Sequence, residues 1–215
     1  GVPGTGKTET AFQIARATER NIMQVDISAI KGMYVGETEK HIKAIFDNYR
    51  RAVLASEQAP ILLFNEADAV IGKRIEFSAS SRSVERMENT MQNIILQEIE
   101  TLEGILIATT NLTVNMDTAF ERRFLYRIEF EKPGPEARAS IWRSMLPELD
   151  SGCTGELAVR FDLSGGQIEN IARKCAVRQV LYGAVPAQAE LAAFCREELS
   201  GSENSRKTIG FAAAG

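Results

Sequence analysis

The chain has one histidine, one tryptophan and three cysteines in 215 residues, and each scarcity removes a class of chemistry. A structural zinc site takes about four His or Cys ligands at short, fixed spacings. Cys153, Cys175 and Cys195 form no C-x-x-C pair, and His41 is far from all of them in sequence. The thiols are therefore expected to be buried or free in a reducing compartment, the cytoplasm. No apolar run reaches the roughly eighteen residues that a membrane-spanning helix needs. An excess of basic charge is lacking too: 25 Lys and Arg against 29 Asp and Glu leave a net charge of −4, which gives nucleic acid no broad footprint. Nor is there an internal repeat. What remains, at 44% hydrophobic and 25% charged, is enough apolar material to pack a core as one domain or as one plus a small second one.

The most informative segment is the first. Gly1-Val2-Pro3-Gly4-Thr5-Gly6-Lys7-Thr8 spells G-x-x-x-x-G-K-[ST], the loop that cradles phosphates in front of a helix. Gly4 and Gly6 allow backbone conformations that aim N–H groups inward, and the dipole of the following helix favours an anion there. Lys7 reaches the outer phosphates, and the Thr8 hydroxyl is a Mg²⁺ ligand. Such a loop normally follows a buried strand, so a strand ahead of Gly1 is expected in the natural protein.

Downstream the pattern alternates. Helix-compatible spacing from Thr8 to about Glu19 is followed by a short strand over Asn21 to Ile27. A helix from about Glu37 to Ser56 carries Ile42, Ile45, Phe46, Tyr49, Ala52 and Val53 on one stripe. After Pro60, the run Ile61-Leu62-Leu63-Phe64 suits a strand buried on both faces. Residues 75–82 read as a Ser-rich surface loop, Val84 to Leu102 as a long helix, Ile105 to Thr109 as a second buried strand and Leu125 to Phe130 as the last one. This alternation predicts a three-layer α/β sandwich with a parallel sheet. Lys132-Pro133-Gly134-Pro135 breaks any regular element, so the domains are predicted as 1–132 and 133–215. The second reads as helices over Glu136 to Leu146, Gly166 to Leu181 and Pro186 to Leu199, with a frayed end from Gly201.

The end of the first buried strand, Asn65-Glu66-Ala67-Asp68, supplies the chemistry the loop lacks. A glutamate fixed at the C-terminal end of a sheet strand, facing the phosphates, can orient and deprotonate a water in line with the terminal phosphate. Glu66 fits that role.

The phosphate loop, this strand end and Ala108-Thr109-Thr110-Asn111, in that order, resemble an AAA-family ATPase module, in the branch with katanin, spastin and the proteasomal ATPases or among bacterial AAA proteins of undefined substrate. The resemblance implies a P-loop fold with a helical lid, ATP and Mg²⁺ as ligands, and nucleotide contacts from Pro3, Gly4, Thr5, Gly6, Lys7, Thr8 and Gly166. It implies that Asn111 helps place the attacking water. Arg122 and Arg123, in Ala119-Phe120-Glu121-Arg122-Arg123-Phe124, match arginines that reach the nucleotide of a neighbouring protomer, which implies a ring, a homo-hexamer. Tyr34 and Val35, between Gly32 and Gly36, match a pore loop that grips a polypeptide substrate, and residues 77–83 could form a second pore loop. One departure matters. The family usually has Asp immediately before the catalytic Glu, and Asn65 stands there. A neutral amide accepts a weaker hydrogen bond from metal-bound water than a carboxylate does, so Mg²⁺ affinity and turnover are expected to fall without vanishing. The leading expectation is a protein-remodelling ATPase. Beside it stand a slow-turnover nucleotide switch or scaffold and, with less support from the charge balance, a nucleic-acid motor.

Overall fold

The structure is a computed structural model and describes residues 1–27, 35–72, 82–111, 116–183 and 186–201. The chain forms two compact units: Gly1–Val2 with Gly6–Phe130, and Pro3–Thr5 with the segment from Glu131 onward.

The first unit runs α1 (Lys7–Ala17), β1 (Ile22–Asp26), α2 (Val35–Ala55), β2 (Ile61–Asn65), α3 (Asp68–Ile71), α4 (Arg82–Glu100), β3 (Ile105–Ala108) and α5 (Thr118–Glu121). Its sheet is parallel, in the order β1-β2-β3, with Ile22 opposite Ile61 and Ile61 opposite Ile105. β2 is central, and its sequence suits that place. Ile61, Leu62, Leu63 and Phe64 are all buried, two on each face, and each contributes roughly 1.5–3 kcal/mol of transfer free energy. The predicted stripe of α2 is the face that meets the sheet: Ile42, Phe46 and Tyr49 are buried, and the Phe46 ring meets Phe64 edge-on at 5.8 Å. Tyr49 also anchors the strand entrances. Its hydroxyl donates to Pro60 O at 2.8 Å and accepts from Ile105 N at 2.8 Å, and its ring fills the space that a Cβ at Gly104 would need. Burial pushes its phenol above the usual value.

One predicted strand does not form. Leu125 to Phe130 has no regular structure, and Leu125 and Tyr126 are 92% and 84% exposed. The segment and the outer edge of β3 line the same cavity of about 580 Å³ instead of pairing, and without a hydrogen-bonding neighbour a segment of strand-like composition does not make a strand. The segments at 75–81, 28–34 and 112–115 lie outside the described residues.

The second unit is helical among its described residues: α6 (Pro135–Met145), α7 (Ser151–Arg160), α8 (Gly165–Tyr182) and α9 (Gln188–Gly201). The sequence pattern does not predict α7, since Gly152, Thr154 and Gly155 are weak helix formers. It forms because Asp150 caps it, accepting from Gly152 N at 2.6 Å and Cys153 N at 3.1 Å, and because Leu157 and Ala158 are buried. Trp142, Leu163, Ile168, Ile171 and Leu191 fill the core. All three cysteines sit in it as free thiols, and burial pushes Cys195 up to about 12. Among the described residues no helix is long and apolar enough to cross a membrane.

Candidate nucleotide site

α1 begins without a side-chain cap. Gly6, at its N-cap, has φ 89°, a conformation that glycine adopts without strain, and the first-turn N–H groups are left for an external acceptor. That is the electrostatic requirement for phosphate. Lys7 crosses the loop and donates from Nζ to Gly1 O at 2.9 Å and Val2 O at 2.7 Å. Partial burial lowers its pKa, against a smaller upward pull from Asp68.

In the second unit, Gly4 (φ 74°) meets the start of α8. Its carbonyl accepts from Gly166 N at 2.8 Å. A Cβ on Gly166 would lie 3.0 Å from Gly4 Cα, and one on Gly4 would lie 2.8 Å from Ser164 Oγ. The close approach that Gly166 permits is thus to the loop backbone itself. Pro3 and Thr5 flank Gly4 in the same unit. Ser164 and Gln167 form a reciprocal capping box that fixes the start of α8.

The strand ends carry a connected polar network. Asn65, the last residue of β2, receives two hydroxyl donations on Oδ1: Thr8 Oγ1 at 2.7 Å and Thr109 Oγ1 at 2.9 Å. Glu66 follows at φ 51°, a left-handed conformation unusual for a side chain larger than glycine, and its side chain is exposed. Glu66 N donates to Thr109 Oγ1 at 3.1 Å, and Ala67 N to Thr109 O at 2.8 Å. Two residues further, at the start of α3, Asp68 Oδ1 accepts from Asn111 N at 2.8 Å and from the Thr110 hydroxyl, which fixes the segment after β3 to the start of α3. Lys7, Thr8, Asn65, Glu66 and Asn111 therefore belong to one connected corner, at the C-terminal edge of the sheet where α/β folds bind ligands.

Thr8 Oγ1 and Asn65 Oδ1 are hard oxygens in hydrogen-bond contact, a donor set that suits Mg²⁺ carried in with its own waters and phosphates. Among the described residues no cluster of three or more His, Cys, Asp or Glu could cage a metal by itself. The fit is to a metal–nucleotide complex.

The two arginines separate. Arg123 donates from Nη1 to Ala119 O at 2.8 Å and pairs through Nη2 with Glu100, and its Nε is buried without a partner. Arg122, by contrast, is exposed. Tyr34 lies outside the described residues, and Val35 opens α2 with its side chain outside them. His41 is exposed, and Arg173 pairs with Glu169 on the surface of α8. Thr109 and Asp68 enter the sequence reading only as parts of motifs. Their partnerships have a signal in hindsight, because polar residues that end two adjacent parallel strands must face one another.

Comparison with known proteins agrees with this geometry. The profile of the ATPase family associated with various cellular activities (AAA) matches residues 1–132, and that of the contractile injection system ATPase helical domain matches residues 134–200. Fidgetin-like protein 1 of Drosophila melanogaster is 29% identical over 80% of this chain and 33% of its own length. The 26S proteasome regulatory subunit 7 homolog of Saccharomyces cerevisiae is 29% identical over 80% of this chain and 37% of its own. The proteasome-associated ATPase of Thermobifida fusca is 34% identical over 69% of this chain and 28% of its own. The chain thus spans between 28% and 37% of the length of these relatives. With the phosphate loop, the Asn65-Glu66 strand end and the family match over 1–132 in agreement, the chain belongs to the AAA family of ATPases.

Proposed function

We propose that this chain hydrolyses ATP with Mg²⁺ in a ring of identical protomers, a hexamer, and uses the cycle to remodel a protein substrate. The observation that carries the reading is the Thr8–Asn65 hydrogen bond at 2.7 Å, which ties the phosphate-loop helix to the strand end that bears Glu66. In this reading the uncapped start of α1 and Lys7 bind the phosphates, and Lys7 exchanges its carbonyl partners for phosphate oxygens. Glu66 takes the proton of the attacking water, and Asn111, fixed through its backbone to Asp68, helps place that water. Bound Mg²⁺ would neutralise charge on the phosphates, held by Thr8 and, through water, by Asn65.

Arg122 is the residue we assign to the neighbour's nucleotide, since Arg123 is already engaged with Glu100 and Ala119. Tyr34 and Val35 are assigned to the polypeptide substrate. The profile match over 134–200 supports, as that substrate, a component of a contractile injection assembly. The neutral Asn65 favours a low turnover number, and a rate near zero would make the protein a nucleotide-dependent switch.

The test is specific ATPase activity against protein concentration. It should rise with assembly, and Arg122→Ala should lower the plateau by roughly 10³-fold or more while ATP still binds. Flat specific activity, with Arg122→Ala at the wild-type rate, would contradict the shared-site reading.

A further inference from the structure

We infer that Thr109 is a positioning residue for both halves of the strand-end site, and that its hydroxyl is what lets an asparagine stand at position 65. The inference rests on the hydrolytic reading above. Thr109 is buried and uses every polar atom it has. Its N–H donates to Phe64 O at 2.9 Å, its carbonyl accepts from Ala67 N at 2.8 Å, and its hydroxyl both accepts from Glu66 N at 3.1 Å and donates to Asn65 Oδ1 at 2.9 Å. The backbone bonds survive substitution by Val or Ala, whereas the two hydroxyl bonds do not.

Those two bonds form a directed chain. Glu66 N–H occupies one lone pair of Thr109 Oγ1, and the buried hydroxyl proton, which requires an acceptor, finds it in Asn65 Oδ1. An amide has one accepting and one donating end. The Thr109 proton selects the accepting end, so Asn65 presents Oδ1, and not its NH₂, towards Thr8, whose hydroxyl then donates to it. A carboxylate would need no such selection, because either oxygen accepts. The other end of the chain acts on Glu66. Its φ of 51° is sparsely populated for a non-glycine residue and is held here through its own N–H and the next, both bonded to Thr109. The hydroxyl therefore sets the direction from which the Glu66 side chain leaves the strand and the polarity of the group beside the metal ligand.

The test uses the full chain with Thr109→Val, Thr109→Ala and Thr109→Ser, each checked for folding by thermal melting. Two quantities are read: kcat, and the ratio of ATP affinities with and without Mg²⁺. Removing the hydroxyl should lower kcat about 10–100-fold and cut the Mg²⁺-dependent gain in ATP affinity about 10-fold, as loss of an orienting partner of a metal ligand typically does. Metal-free ATP affinity should be unchanged, and Thr109→Ser should retain wild-type behaviour. In the Asn65→Asp background the Mg²⁺ effect of Thr109→Val should shrink to within about twofold, because a carboxylate has no wrong orientation.

Wild-type kcat and Mg²⁺ dependence in both hydroxyl-free variants would overturn the inference. So would an equal Mg²⁺ loss in the Asn65→Asp background, which marks a merely structural defect. If Thr109→Val fails to fold, Thr109→Ala, which leaves no bulky group, gives the same readings. Glu66→Gln run alongside separates this inference from the reading beneath it. Undiminished hydrolysis in Glu66→Gln would sink the general-base assignment alone, whereas a collapse there beside a normal Thr109→Val would sink the positioning role alone.

Discussion

Lys7 and Arg138 solve the same local problem with opposite results. Each cation donates to two backbone carbonyls: Lys7 to Gly1 O and Val2 O, Arg138 to Ala158 O at 2.8 Å and Pro133 O at 2.7 Å. Arg138 is buried and also pairs with Asp162 at 2.6 Å, whose carboxyl is held below its usual value first by the hydrogen bond from Lys132 and then by Arg138. Its charge is neutralised, its planar fork is occupied and α6 is tied to the end of α7, so it is a structural pin. Lys7 is only half-buried, and among the described residues no carboxylate lies in ion-pair contact with it. Burial outweighs the more distant Asp68 charge, lowers its pKa and leaves an ammonium that gains from an incoming anion. Bond count does not separate a structural cation from a functional one. Burial and counter-charge do.

Two substitutions sharpen that contrast. Arg138→Met leaves two carbonyls without their donor and should lower the unfolding free energy by about 3 kcal/mol, read from urea denaturation, with ATP affinity unchanged. Lys7→Ala should do the reverse: ATP affinity falls about 10–100-fold, the worth of a charge-assisted bond of ~1.5–3 kcal/mol, while the urea midpoint barely moves. Normal ATP binding and early unfolding in Lys7→Ala would erase the distinction.

The same contrast explains what the sequence made legible. β2 could be read because four consecutive apolar residues between Pro60 and Asn65 suit a strand buried on both faces, and α2 because its stripe has the helical period. The phosphate loop could be read because its glycines and lysine answer to local geometry. What escaped depends on partners distant in the chain. Leu125 to Phe130 has a strand's composition and, among the described residues, pairs with no strand. α7 exists, against weak propensity, through a buried face that packs in one core with Trp142, Ile168 and Leu191, with Asp150 as its local cap. The contact between Gly4 and Gly166 joins positions more than 160 residues apart, and Thr109 is an ordinary strand-end threonine until Asn65 and Glu66 are placed beside it.

The most direct test of the central claim, that the β2 end is a hydrolytic centre, is to measure ATP affinity and turnover of Glu66→Gln beside the wild type. The account predicts ATP affinity within about twofold and turnover reduced by roughly 10²- to 10⁴-fold, the contribution of a positioned general base. Wild-type turnover in Glu66→Gln would contradict it.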